Sequence, residues 1–393
     1  MKKTIRDYEL RNKKVLIRCD FNVPMKDGKI IDDTRIEESL KTINYAISEG
    51  AKVILLSHLG RVKEEADLKK HNLAPVAGRL STLLGKEVIF VNTTRGPELE
   101  KKIEAMRMGD VLLIQNTRYE DLDEKKESSN DAELGKYWAS LGDLFINDAF
   151  GTAHRAHASN VGIATHLPNG IGFLMEKELN ALNGLMDPVH PFMILMGGAK
   201  VSDKVGVINH LVEKADAILI GGGMANTFLK AKGYSVGASF IEEDSLEFAK
   251  TLLEKYKEKI LLPIDVNVTT EKTDTAVNRI TPVETINENE MILDIGPASI
   301  AWFMEKLSSS KTIFWNGPFG VYEMPKYGVG TQKLLEGICS LNANTVLGGG
   351  DIVAAAAKFG YKEKVSHAST GGGATLEFLE GKELPGLAVI EEE

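Results

Sequence analysis

Ten of the chain's eleven arginines precede residue 156, whereas its paired and tripled glycines all follow residue 196. Arginine grips a phosphate or carboxylate with a planar fork of donors. Clustered glycine lets backbone N–H groups approach a phosphate at a helix start. The first half is therefore suited to holding a small anion by side chains, and the second to holding a nucleotide by backbone. Two anionic ligands on two halves is the layout of a phosphoryl-transfer enzyme.

The arginines follow apolar runs. Arg18 closes the run in VLIRCDFNVP, Arg61 follows VILLSHLG, Arg118 follows VLLIQNT, and Arg155 lies beyond LFINDAFGTAH. In an open α/β sheet ligands bind outside the carboxyl ends of the strands, so four such strands would gather these arginines at one edge. His58, His154 and His157 would come with them, as would Asp20 and Asn22. A metal held by the three histidines has little support, because HRAH lacks a partner carboxylate at helical spacing. Arg35, in DDTRIEESL, sits at a helix start, and spacing alone makes it a surface residue.

Four glycine clusters each open onto a helical pattern: GGAKVSDK from Gly197, GGGMANTFLKA from Gly221, GGGDIVAAAAKF from Gly348, and GGGATLEFLEGK from Gly371. Each would present free N–H groups and the positive end of a helix. Lys200 and Lys204 are expected four apart on one helical face. Asp351, directly after its glycines, is a candidate for holding Mg²⁺ near phosphates. In NGPFGVYE, Pro318 and Val321 could wall a base while Glu323 accepts from ribose hydroxyls. No G-x-x-x-x-G-K-[ST] and no clean G-x-G-x-x-G is present, which disfavours a Walker-type NTPase and the usual dinucleotide site.

These motifs need positioning elements. Expected strands are 15–18, 53–57, 111–115, 144–147, 192–196, 217–220, 260–263, 312–315 and 345–347. They alternate with amphipathic stretches at 35–49, 132–141, 202–215 and 245–256. This alternation predicts an α/β fold with parallel sheets buried on both faces. At 393 residues the chain should form two domains, divided near residues 170–190. Pro168, Asn169 and Gly170 punctuate the boundary, and 173–186 reads as one helix ended by Asp187-Pro188. A net charge of −9 argues against general nucleic-acid or membrane binding. Two distant cysteines, no signal-peptide pattern and no long apolar run point to a cytoplasmic protein.

Together RCDFNVP, HLGR, NTRYE, NDAFGTAHRAHAS, GGAKVSDK, GGGMANTFLKA, DIGP, NGPFGVYE, GGGD and STGGGATLEFLEGKELPG, in that order, closely resemble the phosphoglycerate kinase family. The resemblance implies reversible phosphoryl transfer between 1,3-bisphosphoglycerate and ADP, giving 3-phosphoglycerate and MgATP. It implies two Rossmann-like domains, 1–170 and 171–375, joined by a helix across a cleft, a monomer, and a final segment, about 376–393, packed back on the first domain. The implied phosphoglycerate site comprises Arg18, Asp20, Phe21, Asn22 and Arg35. It continues with His58, Leu59, Gly60, Arg61, Arg118 and Arg155. The implied nucleotide site takes Gly198, Ala199, Lys200, Lys204, Gly222 and Gly223. From the later motifs it takes Ile292, Asn316, Pro318, Val321, Glu323, Gly349, Gly350, Asp351 and Ile352, with Asp351 toward Mg²⁺.

The resemblance raises Arg35 from a surface residue to the leading catalytic choice. With Lys200 it should neutralise the moving phosphoryl, and the N–H groups of Gly371, Gly372 and Gly373 should add fixed dipoles. A substrate carboxylate is already ionised, so no general base is required. Direct in-line transfer after a hinge closure is expected. Two positions depart from the family pattern. Ile352 stands where Ser or Thr is common, and Ile292 where Gly is common; altered nucleotide affinity is expected. A dinucleotide-dependent dehydrogenase and a non-catalytic phosphometabolite sensor are the competing classes.

Overall fold

The computed structural model describes residues 1–393. It divides into two compact units, Met1–Asn180 with Glu383–Glu393, and Ala181–Lys382.

In the first unit six strands form one parallel sheet: β1 (Lys14–Arg18), β2 (Lys52–Leu56), β3 (Val88–Val91), β4 (Val111–Ile114), β5 (Leu144–Asn147) and β6 (Asn169–Ile171). Their order is β3-β4-β2-β1-β5-β6. The chain moves outward from β1 and then returns to its other side at β5, and such a reversal opens a crevice at the carboxyl edge. Successive side chains of a strand face opposite ways. Val15, Ile17, Val53 and Leu55 enter one core, while Leu16, Ile54 and Leu56 enter another. A sheet covered on both faces needs continuous apolar runs, which explains why β1, β2, β4 and β5 were legible, whereas β3 was not among the expected strands. Asn169–Ile171, expected to be a break, is instead the edge strand β6, paired with β5.

Helix α1 (Thr34–Ser48) buries Ile36, Ser39, Ile43 and Ala46, a single face at helical spacing. Helix α2 (Ala132–Ser140) starts where the Asp131 carboxylate accepts the Leu134 N–H at 2.8 Å. Helix α3 (Phe173–Met186) carries the chain from one unit into the other. Its first turn is held by Asp148, whose Oδ1 accepts from the N–H groups of Leu174 at 3.0 Å and Met175 at 3.1 Å. Burial pushes the Asp148 carboxyl up to about 7 from 3.8. Between those values the folded state holds the proton more tightly than the unfolded state. Stability should therefore fall as pH rises through about 4 to 7. Asp148→Asn keeps an acceptor and removes the charge. Its melting temperature relative to the native chain should be more favourable at pH 8 than at pH 5, and equal offsets at both would contradict this account.

Residues Glu383–Glu393 belong to the first unit. The Gly386 N–H donates to the Ala153 carbonyl at 2.8 Å, the Lys3 N–H to the Glu391 carbonyl at 2.9 Å, and the Glu391 N–H to Asn169 Oδ1 at 2.9 Å.

The second unit contains, in chain order, β7 (Phe192–Met196), β8 (Ala217–Ile220), β9 (Ile260–Leu261), β10 (Asp265–Thr269), β11 (Asn278–Pro282), β12 (Met291–Ile295), β13 (Thr312–Asn316), β14 (Asn344–Leu347) and β15 (His367–Ala368). A parallel sheet runs β9-β8-β7-β13-β14-β15, and a separate antiparallel sheet runs β11-β10-β12. The antiparallel sheet was not foreseen. Its middle strand buries Asp265, Asn267 and Thr269, and the first two are satisfied by partners distant in sequence. Among them, Asp265 Oδ1 accepts from the Ser299 N–H at 2.7 Å, just after the start of a helix at Pro297–Leu307.

The strand order of the parallel sheet reverses between β7 and β13, and the chain is crowded there. A Cβ on Gly197 would lie 2.4 Å from the carbonyl oxygens of Gly317 and Pro318. Gly197→Ala should lose about 1–3 kcal/mol of stability through this overpacking, measured by denaturant unfolding. No helix is long and apolar enough to cross a membrane.

Candidate active site

The carboxyl ends of β1, β2, β4 and β5 converge as their parallel register requires, with Arg18 beside Leu56 and Asn147. Asp20 follows β1 and orients Arg35 from α1. Arg35 Nη1 donates to Asp20 Oδ1 at 3.1 Å, to Asp20 Oδ2 at 3.2 Å and to the Asn22 carbonyl at 3.1 Å. The Arg35 side chain stays 37% exposed, so the rest of its fork is open to a ligand. Asn22 Oδ1 accepts the Gly60 N–H at 2.8 Å. Arg118 Nη1 donates to the Gly60 carbonyl at 2.7 Å. Arg118 and Arg61 line one depression of about 220 Å³, together with Lys63 and Lys125. Arg155 is exposed and acts on the buried His157, as do Arg18 and Arg118.

Three expectations change here. Arg18 has no exposed surface, so it cannot grip a ligand directly. Its Nε donates to Ser159 Oγ at 2.8 Å, Nη1 to the Cys19 carbonyl, and Nη2 to His58 Nδ1 at 3.2 Å. The Glu127 carboxylate stands 3.9 Å away. A buried guanidinium is tolerated only with such partners. Phe21 and Leu59 also point their side chains into the core, leaving only backbone for a ligand. The Phe21 N–H is already bonded to Ser57 Oγ at 2.8 Å, and the Leu59 N–H to Asn116 Oδ1 at 3.0 Å.

Both buried histidines are neutral. Burial, then Arg18 and Arg118, hold His58 well below its usual range. The same causes bring His157 down to about 3. Neither is a useful base near neutrality. Sequence reasoning passed over Asn116, although its amide ties the Leu59 carbonyl at 2.7 Å to the His71 carbonyl at 2.9 Å. Its place in NTRYE was the available signal.

In the second unit a cavity of about 560 Å³ lies at the carboxyl edge of the sheet, within the range of small-molecule sites. Gly198, Ala199, Gly222, Gly223, Ile292, Pro318, Val321, Glu323 and Asp351 all border it. Phe240 and Lys272 border it too and carried no motif, and Leu229 borders it from within GGGMANTFLKA without having been singled out. Gly222 has φ +65, and a Cβ there would lie 2.7 Å from the Pro318 carbonyl oxygen, so glycine brings the loop and the helix start together. Lys204 donates to Asn316 Oδ1, and Asn316 Nδ2 donates to the Gly348 carbonyl. Burial lowers the Lys204 pKa, while Asp203 and Asp351 oppose that shift.

Further corrections apply. Lys200 lies in an exposed loop and the helix begins only at Val205, so Lys200 and Lys204 do not share a helical face. The Gly371 N–H is already bonded to Ser369 Oγ at 3.2 Å and is buried, so it adds no free dipole. Gly373 opens its short helix from an exposed position. Gly349, with φ +105, precedes the helix Gly350–Lys358, where Asp351 is exposed in the first turn. Ile352 is wholly buried in the core with Trp315 and Phe319. The side chain at this position therefore serves the core.

The phosphoglycerate kinase family model matches residues 5–382. The chain belongs to that family. A phosphoglycerate kinase of Macrococcus caseolyticus is 56% identical over 394 residues, covering 100% of both chains. One from Enterococcus faecalis is 57% identical over 394 residues, covering 100% of this chain and 99% of its own. The solved phosphoglycerate kinase of Coxiella burnetii superposes with a TM-score of 0.91 at 40% identity, covering 99% of this chain and 98% of that one. That of Pyrococcus horikoshii gives 0.84 at 34% identity, with the same coverage. The family's reaction moves a phosphoryl group between a nucleotide and the carboxyl group of 3-phosphoglycerate, a glycolytic step. The dehydrogenase alternative is thereby removed.

Proposed function

We propose that the carboxyl edge of the first unit binds 3-phosphoglycerate or 1,3-bisphosphoglycerate and the cavity of the second binds ATP or ADP with Mg²⁺. The phosphoryl group then passes directly between them, in line, after a hinge closure. The observation that carries this reading is the gathering of Arg35, Arg118, Arg61 and Arg155 around one strand edge. Arg61, Arg118 and Arg155 hold the remote phosphate, whose binding energy aligns the carboxylate. Arg35 and Lys200 meet the charge of the moving group. The neutral, weakly basic histidines agree with a nucleophile that needs no proton removed.

The residues present suit Mg²⁺. The structure has no cluster of three or more His, Cys, Asp or Glu that would cage a metal. Mg²⁺ keeps several waters and takes one or two carboxylates plus substrate phosphates, and Asp351 supplies such a carboxylate at the cavity. When bound, the ion neutralises nucleotide phosphate oxygens. Pro318, Val321 and Ile292 supply the apolar walls for the base. Ile292 narrows the site and should alter nucleotide affinity. Both cysteines are free thiols, which suits the cytoplasmic setting we infer, and we infer a monomer from the family resemblance.

The test is steady-state ATP consumption with 3-phosphoglycerate and Mg²⁺, with the acyl phosphate product followed by a coupled reduction. Turnover of at least ~1 s⁻¹ is expected. Binding of both ligands without turnover would leave a sensor instead.

A further inference from the structure

We propose that Arg18 is a positioning residue that locks His58 as the neutral tautomer protonated on Nε2. A histidine ring is usually ambiguous, because either nitrogen can carry the proton. Here the partner removes the ambiguity. Arg18 Nη2 lies 3.2 Å from His58 Nδ1. A guanidinium only donates, so Nδ1 must accept and the proton must sit on Nε2.

The guanidinium cannot easily turn away. Its Nε is bonded to Ser159 Oγ at 2.8 Å, and Nη1 to the Cys19 carbonyl. Glu127, 3.9 Å from Nη2, is itself fixed by the Ser159 hydroxyl and by the Ser159 N–H at 2.9 Å. Arg18, Glu127 and Ser159 are all fully buried. Three separate parts of the first unit thus converge to hold one ring orientation.

The charges around His58 reinforce the lock. Arg18 on β1, Arg118 after β4, His157 before the Ala158–Gly162 turn and Arg35 on α1 all disfavour a second proton. Burial lowers the Arg18 pKa, and the acids Glu127 and Asp20 oppose that shift. His58 therefore offers one fixed N–H donor, held by the Arg18 contact and disfavoured from taking a second proton. Such a donor suits a carboxylate, hydroxyl or phosphate oxygen of the phosphoglycerate. This step rests on the reading that His58 borders that substrate.

The experiment is ¹⁵N spectroscopy of histidine-labelled full-length protein. His58 should show an unprotonated Nδ1 and a protonated Nε2, unchanged from pH 5.5 to 8. A protonated Nδ1, or a ring titrating near the ordinary value of 6.5, would overturn the proposal. Arg18→Met combined with Glu127→Gln removes both buried charges together and avoids stranding either. In that variant His58 should lose its single tautomer. The KM for 3-phosphoglycerate should rise ~10-fold and become pH-dependent, while the KM for ATP stays constant. An unchanged tautomer and KM in a folded variant would refute the role given to Arg18. If the variant does not fold, the native spectrum still decides the tautomer. Adding 3-phosphoglycerate to the native protein should shift the His58 Nε2 resonance. Saturable binding with no shift would overturn the reading of the site, and with it the positioning role, while the tautomer stands.

Discussion

Arg35→Ala should lower kcat by about 10³-fold or more, in line with arginines that stabilise phosphoryl transition states. The geometry supports a loss in catalysis rather than in folding. The Asp20 pair holds only Nη1 and is partly exposed, and exposed ion pairs contribute about 0–1 kcal/mol. The melting temperature should therefore move little. Helix α1 should also persist, since its start is tied by Arg79 Nε to Asp33 at 2.6 Å. Arg35→Lys keeps the charge without the fork and should fall between the two. Binding of 3-phosphoglycerate should weaken less than kcat falls, because the contact acts chiefly on the moving group. Near-normal kcat in Arg35→Ala would sink the assignment.

Asp351→Ala is the second large effect. Asp351 is exposed in the first turn of its helix, so its removal should leave the fold intact. With the carboxylate gone, kcat/KM for ATP should fall by about 10²-fold or more, since metal charge stabilisation is worth several kcal/mol. Calorimetry provides a readout independent of turnover. ATP binding to the native chain should tighten when Mg²⁺ is added, and in Asp351→Ala that increment should disappear. An identical Mg²⁺ increment in both proteins would move the metal site elsewhere.

The residues differ in how far they could be read in advance. Leu144–Asn147, Phe192–Met196 and Ala217–Ile220 are strands at the bounds their apolar runs predict, and Phe173–Met186 is the predicted helix. Continuous burial on two faces leaves that direct trace. The antiparallel sheet left none, because Asp265 and Asn267 look like loop residues until their distant partners are known. Arg18 shows the same limit at the site. Its type and position after a strand suggested an anion grip, yet Ser159 and Glu127, far along the chain, enclose it. Ile352 is similar: its neighbours mark a nucleotide loop while its side chain serves the core. Arg35 was the reverse case, ordinary by spacing and informative only through family resemblance, with Asp20 and Asn22 now giving a physical reason for its orientation.

The return of Glu383–Glu393 to the first unit also bears on the order in which the molecule can be made. That segment leaves the ribosome only after all of Ala181–Lys382 has emerged. Domains commonly fold as units during synthesis, N-terminal first. Here the first unit lacks the contacts that Gly386 and Glu391 make to Ala153, Lys3 and Asn169 until the second is already outside the ribosome. The nascent Met1–Asn180 portion must wait with an unfinished flank, and the later portion becomes the first with every one of its residues in hand.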